Sequence, residues 1–134
     1  MRYLLDTNIV SDLIRNPQGK IAARIAEVGE EKVCTSIIVA AELRYGAAKR
    51  GAARLTAQLE NVLRGLEIVP FEVPAEIAYG ELRSRLEAVG TPIGGNDLFI
   101  GAHAISLGHT IVTDNEREFA RIDELPIENW LRRT

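Results

Sequence analysis

The chain has a single cysteine among its 134 residues, so no internal disulfide can form. Cys34 lies in the apolar-flanked segment KVCTS, which reads as a buried structural thiol in a reducing compartment. No secretory core is possible in MRYLLDTN, where an acid interrupts the first apolar run. The longest apolar stretches, SIIVAAEL and DLFIGAHAISLG, are too short to cross a bilayer. A cytoplasmic protein with no membrane partner is the expectation. Repeats, low-complexity tracts and Pro/Ser-rich linkers are absent as well, so one domain over residues 1–134 is expected, long enough to bury one sizeable core. With 46% hydrophobic and 26% charged residues, disorder is excluded as the main state.

An excess of positive charge is also missing. The formal net charge is −3, which by itself argues against a nucleic-acid partner. The distribution changes that argument. If four carboxylates are committed to one metal site, the remainder is slightly positive, and bound divalent ions make such a cleft attractive to phosphate.

What is present is an alternation of short apolar runs with helical periodicities. Tyr3–Asp6 reads as a buried strand ending in the helix cap DTN. Ile21, Ile25 and Val28 keep helical spacing up to Gly29, and Lys32–Thr35 is a second strand. Ser36 caps a helix running to Arg50, broken by Gly51. Leu55, Leu59, Val62, Leu63 and Leu66 form the stripe of the next helix, followed by the strand LEIVPF. Ala78, Leu82, Leu86 and Val89 mark a further helix. Asn96 or Asp97 starts one that is apolar on nearly all sides and therefore buried between layers. TIVTD is a strand ending in a carboxylate, and LPIENW is a last edge strand. This order predicts an α/β sandwich around a mainly parallel sheet, with any site beyond the carboxyl ends of the strands.

Four carboxylates stand out. Asp6 and Asp114 each follow an apolar strand directly, and Asp97 opens the buried helix. An Asp in these places can also be a cap, a first-turn acid or a turn residue. Thr7 and Asn8 can cap in place of Asp6, however. Glu42 lies among Ile38, Val39, Ala41, Leu43, Tyr45 and Ala47, where a carboxylate is costly unless paired with a distant Arg or bound to metal. Brought together, such acids repel and raise one another's pKa values. Mg²⁺ or Mn²⁺ resolves the conflict, because hard cations prefer oxygen ligands, and the chemistry that uses this arrangement is phosphodiester cleavage by an activated water. His103, in an apolar helix, and His109, in the LGHT turn, are read as structural.

Two other phosphate chemistries fit poorly. A haloacid-dehalogenase phosphatase needs a second Asp where this chain has Asn8, and a response-regulator receiver needs a late Lys, whereas none follows Lys49. A catalytically silent binding module has no use for a complete carboxylate set.

With LLDTNIVSDLI, TSIIVAAELRYGA, GTPIGGNDLFIGAHA and IVTDNEREFARI in that order, the chain resembles the VapC toxins of type II toxin–antitoxin systems, which are PIN-domain ribonucleases. The resemblance spans nearly the whole chain and implies a PIN-domain α/β/α sandwich with Asp6, Glu42, Asp97 and Asp114 as its catalytic acids. Asp6 and Asp97 would be Mg²⁺ ligands, with Mn²⁺ as a substitute. Glu42 and Asp114 would bind metal directly, through water, or hold the nucleophile. Thr7, Asn8, Ser36 and Thr113 would hydrogen-bond around them. It further implies an RNA substrate, with tRNA and the initiator anticodon loop as the best match, a homodimer, and a VapB-type antitoxin docking near the helices Ile37–Arg50 and Leu55–Leu66. Some members of that branch carry Asn where this chain has Asp114, which makes it the acid the site can most readily spare. The alternative within the same fold is a PIN nuclease of ordinary RNA processing.

Overall fold

The computed structural model describes residues 1–132. Five strands form one sheet: β1 (Tyr3–Leu5), β2 (Val33–Ser36), β3 (Glu67–Val69), β4 (Thr110–Val112) and β5 (Ile127–Glu128), in the order β3-β2-β1-β4-β5. Every pairing is parallel. Parallel strands are covered on both faces, which explains why Leu4, Leu5, Cys34, Ile111 and Val112 are all fully buried. Each buried Leu, Ile or Val contributes about 1.5–3 kcal/mol from water exclusion. No described helix is long and apolar enough to cross a membrane.

The connections are helical: α1 (Thr7–Arg15), α2 (Lys20–Val28), α3 (Ile37–Arg50), α4 (Ala53–Arg64), α5 (Ala75–Ala88), α6 (Gly95–Leu107) and the single turn α7 (Glu116–Phe119). From β1 the chain steps through β2 to β3, then returns past β1 to β4 and β5. Right-handed crossovers then put α1–α4 on one face and α5–α7 on the other. The packing agrees, because α1 meets α2, α3 and α4, while α6 meets α5 and α7. The sandwich expected from the alternation is therefore observed, and its sheet is wholly rather than mainly parallel.

Local chemistry sets the helix ends. The Ser36 hydroxyl accepts from the Ile38 N–H at 3.0 Å and caps α3, and Gly51 closes that helix in the left-handed region at φ 66°. Helix α6 starts at Gly95, ahead of the expected Asn96 or Asp97, because the Gly94 carbonyl already accepts the first helical bond from Leu98. Its Gly101 lets α6 pass close to the segment after β4. A Cβ there would lie 2.8 Å from the Ile122 side chain and 3.6 Å from Phe119. The turn α7 carries no periodic signal, since one helical turn is too short to show one.

The strand order reverses between β1 and β4, and Leu5 pairs with Val112 at their carboxyl ends. In an open parallel sheet this switch point is where a crevice forms. Asp6 and Thr113 are the next residues out.

Candidate active site

Asp6 occupies the N-cap position of α1 without using its side chain as a cap. It is 3% exposed, and its Oδ2 accepts from the Thr113 hydroxyl at 2.7 Å. Its Oδ1 is buried with no hydrogen-bond partner among the described residues. A buried anionic oxygen without a donor is strongly unfavourable, so Asp6 is not held for stability. Burial pushes its carboxyl above the usual range; the Thr113 hydroxyl and the Thr7 amide oppose this, and Glu42 adds to it.

Asp97 stands in the first turn of α6, partly buried, with its Oδ2 accepting from Asn115 Nδ2 at 3.1 Å. Its carboxyl is pushed up to about 6, first by burial and then by Asp6, Glu118 and Glu42, against the Asn115 hydrogen bond. Those three neighbours define which charges share the crevice. Glu42, on α3, takes no Arg partner among the described residues, so the ion-pair alternative does not form. Its Oε1 accepts from Thr7 Oγ1 at 2.6 Å and its Oε2 from Asn96 Nδ2 at 3.0 Å. The apolar surroundings expected for it are also thinner, since Tyr45 is 67% exposed.

Asp114 lies two residues beyond β4, which ends at Val112 rather than at the carboxylate expected to close it, and its side chain is exposed and accepts from Asn129 Nδ2 at 2.9 Å. Its charge is felt by Glu116 and is absent from the influences on Asp97. The structure thus gathers Asp6, Glu42 and Asp97 and leaves Asp114 on the rim. Glu118 of α7, whose Oε2 lies 3.9 Å from the Arg121 guanidinium, is felt by Asp97 instead. Its Oε1 accepts from the Gly94 N–H at 2.7 Å, which holds it beside the start of α6.

The surrounding hydroxyls and amides tie these acids to their elements. Besides Thr7 and Thr113, Asn8 Oδ1 accepts from the Asp114 N–H at 3.3 Å, and Thr113 Oγ1 accepts from the Asn115 N–H at 2.9 Å. Among the described residues no three Asp, Glu, His or Cys side chains already enclose a site for an ion. The donor set nevertheless fits a hard divalent cation: it consists of oxygens, one of them the orphaned Asp6 Oδ1.

A groove of about 580 Å³ leads away from Glu42 between α1, α3 and α4. Its floor includes Ile14, Leu43, Leu55 and Leu59, and its far end carries Arg15, Lys49 and Arg50.

The PIN domain family profile matches residues 3–125. Over 132 residues the chain is 40% identical to Ribonuclease VapC2 of Rickettsia felis, covering 97% of this chain and 98% of that protein. The chain belongs to the VapC family of PIN-domain ribonucleases. It is 37% identical to the tRNA(fMet)-specific endonuclease VapC of Salmonella typhimurium, over 97% of this chain and 98% of that one. Its fold superposes on VapBC2 of Rickettsia felis, solved bound to a DNA fragment from their promoter, with a TM-score of 0.88 at 38% identity, covering 97% of this chain and 99% of that one. As a VapC-family PIN ribonuclease the chain is an enzyme that cleaves RNA.

Sequence reasoning missed Glu118, Asn115 and Asn96. Asn96 and Asn115 are direct chain neighbours of Asp97 and Asp114. Glu118 was hidden in the charged run NEREF, where only the placement of α7 against Gly94 separates it from Glu116.

Proposed function

We propose that the chain is the toxin of a type II toxin–antitoxin pair, an Mg²⁺-dependent endoribonuclease that cuts tRNA, with the initiator anticodon loop as its first target. The observation that carries the metal dependence is the buried Asp6 Oδ1 without a hydrogen-bond partner among the described residues, on an acid whose charge helps push the Asp97 carboxyl up to about 6. Asp6 and Asp97 would hold the ion. The Thr113 hydroxyl and the Asn115 amide each engage the Oδ2 of one of those two acids, which would leave the Oδ1 atoms for it. When bound, Mg²⁺ supplies the positive charge that acidifies a water and offsets charge on the phosphate. Glu42, steered by Thr7 and Asn96, is placed to orient that water or accept its proton, and Glu118 adds a fourth negative charge to the crevice. Asp114, on the rim, would contribute from outside this group. The tRNA reading is supported by the relative from Salmonella typhimurium, whose name gives tRNA(fMet) as its substrate.

A VapB-type antitoxin is supported by the VapBC2 assembly of Rickettsia felis and by the groove beside Glu42. An apolar peptide segment fits its floor, and a cationic side chain at the near end would pair with the carboxylates and compete with Mg²⁺.

The test is cleavage by the purified chain of labelled initiator tRNA beside other tRNAs, in EDTA and after Mg²⁺ is restored. Cleavage only with metal, leaving a 5′-phosphate and a 3′-hydroxyl, is the expected result. Undiminished cutting in EDTA, or a 2′,3′-cyclic phosphate end, rules the mechanism out. Equal cutting of every tRNA removes the initiator preference alone. For the toxin role, co-expression with a small neighbouring gene should restore growth and yield a complex.

A further inference from the structure

One buried polar side chain is not used by the reaction. His103, on α6, is 1% exposed, and its Nδ1 lies 2.8 Å from Ser36 Oγ. The same Ser36 oxygen caps α3 by accepting from the Ile38 N–H at 3.0 Å. The Pro70 carbonyl, just after β3, is within hydrogen-bond influence of the ring, and Phe71 meets it edge-on with centroids 5.2 Å apart. One arrangement of protons satisfies every group. In it the Ser36 hydroxyl donates to Nδ1 while Ser36 Oγ accepts from the Ile38 N–H, which leaves the ring proton on Nε2. The opposite tautomer leaves the proton of the fully buried Ser36 without a partner, which is unfavourable. Burial also lowers the pKa of His103, so the ring stays neutral at physiological pH.

The two helices joined by this bond are those that carry Glu42 and Asp97. They also meet at the crevice itself, through Asn96 Nδ2 and Glu42 Oε2. We propose that His103 is a positioning residue for the carboxylate site: through Ser36 it locks the start of α3 to the body of α6 and so fixes where Asp97, which would hold the ion, stands against the neighbouring Glu42. This rests on the reading of the carboxylates as a divalent-cation site.

The experiment is an Mn²⁺ titration of the metal-free chain, following the free-ion signal by electron paramagnetic resonance. His103→Asn and His103→Leu both remove the ring and its packing, but only Asn keeps an acceptor at the Nδ1 position. A packing role predicts that Leu is tolerated at least as well as Asn; a positioning role predicts the reverse. Expected are Asn within about threefold of wild-type affinity and Leu weaker by about tenfold or more, the scale of partners that orient ligands. Ser36→Ala, which keeps the ring, should weaken Mn²⁺ binding in the same direction and shift the ¹⁵N signals of His103, which in the wild type report the Nε2–H tautomer. Leu binding as tightly as Asn, or Ser36→Ala binding like the wild type, overturns the positioning role alone. A wild-type chain that takes up no Mn²⁺ overturns the cation-site reading and this inference with it.

Discussion

Two buried polar constellations, one at the start of α3 and one at the start of α1, are built on opposite principles. Around His103 the ring Nδ1, the Ser36 hydroxyl and the Ile38 amide can all be satisfied by one another. Around Asp6 the partners run out: one carboxylate oxygen has the Thr113 hydroxyl, the other makes no hydrogen bond among the described residues beyond the pull of the Thr7 amide, and the charge felt there, Glu42, is also negative. A closed network specifies a packing arrangement. An open one destabilises the chain that carries it unless something external completes it. The contrast separates what holds this PIN domain together from what it uses.

The largest expected effect comes from closing the open constellation. Asp6→Asn and Asp97→Asn should each reduce RNA cleavage by more than about a hundredfold, beyond what partners of metal ligands typically cost. Both variants should keep the wild-type circular dichroism spectrum, since each removes a repulsive charge. Two variants that still cut labelled tRNA at the wild-type rate would show that the orphaned oxygen of Asp6 has another purpose.

A second comparison within the crevice concerns its fourth acid. Glu118 is turned towards Gly94 and raises the pKa of Asp97, while Asp114 is exposed and bonded to Asn129. Glu118→Gln should therefore lower cleavage by about tenfold, and Asp114→Asn by about twofold or less. Single-turnover rates on one tRNA substrate decide it. The reverse order would return Asp114 to the centre of the site.

Much of this layout could be read without coordinates. The alternation of buried strands and helices fixed the α/β class because a doubly covered parallel sheet needs continuous apolar strands. Asp6 was legible for a related reason: a carboxylate directly after such a strand stands at the sheet's carboxyl edge. Ser36 and Gly51 announced the ends of α3 through their own backbone chemistry. Glu118 was not legible, because α7 is a single turn whose direction depends on Phe119 and Ile122 packing against the gap at Gly101. The choice between Glu118 and Asp114 is thus a tertiary fact. So is the exposure of Tyr45, since the helical spacing around Glu42 does not say which side faces the core.

Proton competition offers a smaller, graded effect. With the Asp97 carboxyl at about 6, Mn²⁺ must displace a proton at lower pH. Affinity should climb by roughly tenfold per pH unit below that value, for one proton displaced, and flatten above pH 7. An affinity independent of pH between 5 and 7 would mean that Asp97 does not contact the ion.

The smallest effect is on the stability of the metal-free fold, and its sign distinguishes the open constellation from a structural one. Asp97 has its folded pKa raised from 3.8 to about 6. The unfolded chain therefore gives up this proton first, and ionisation penalises the folded state. The penalty is absent below about pH 4, grows between about 4 and 6, and is complete above that. Because Asp97 is only partly buried, solvent screening reduces the penalty to on the order of 1 kcal/mol. In EDTA, Asp97→Asn should accordingly be more stable than the wild type at pH 7.5, and the difference should vanish at pH 4. Denaturant titrations of both proteins at the two pH values measure it. Adding Mn²⁺ at pH 7.5 should then reverse the ranking, since an ion that binds only the native wild type stabilises it in proportion to ln(1 + [Mn²⁺]/Kd). A difference that does not change with pH would place Asp97 outside the repelling group and leave Asp6 with Glu42 alone.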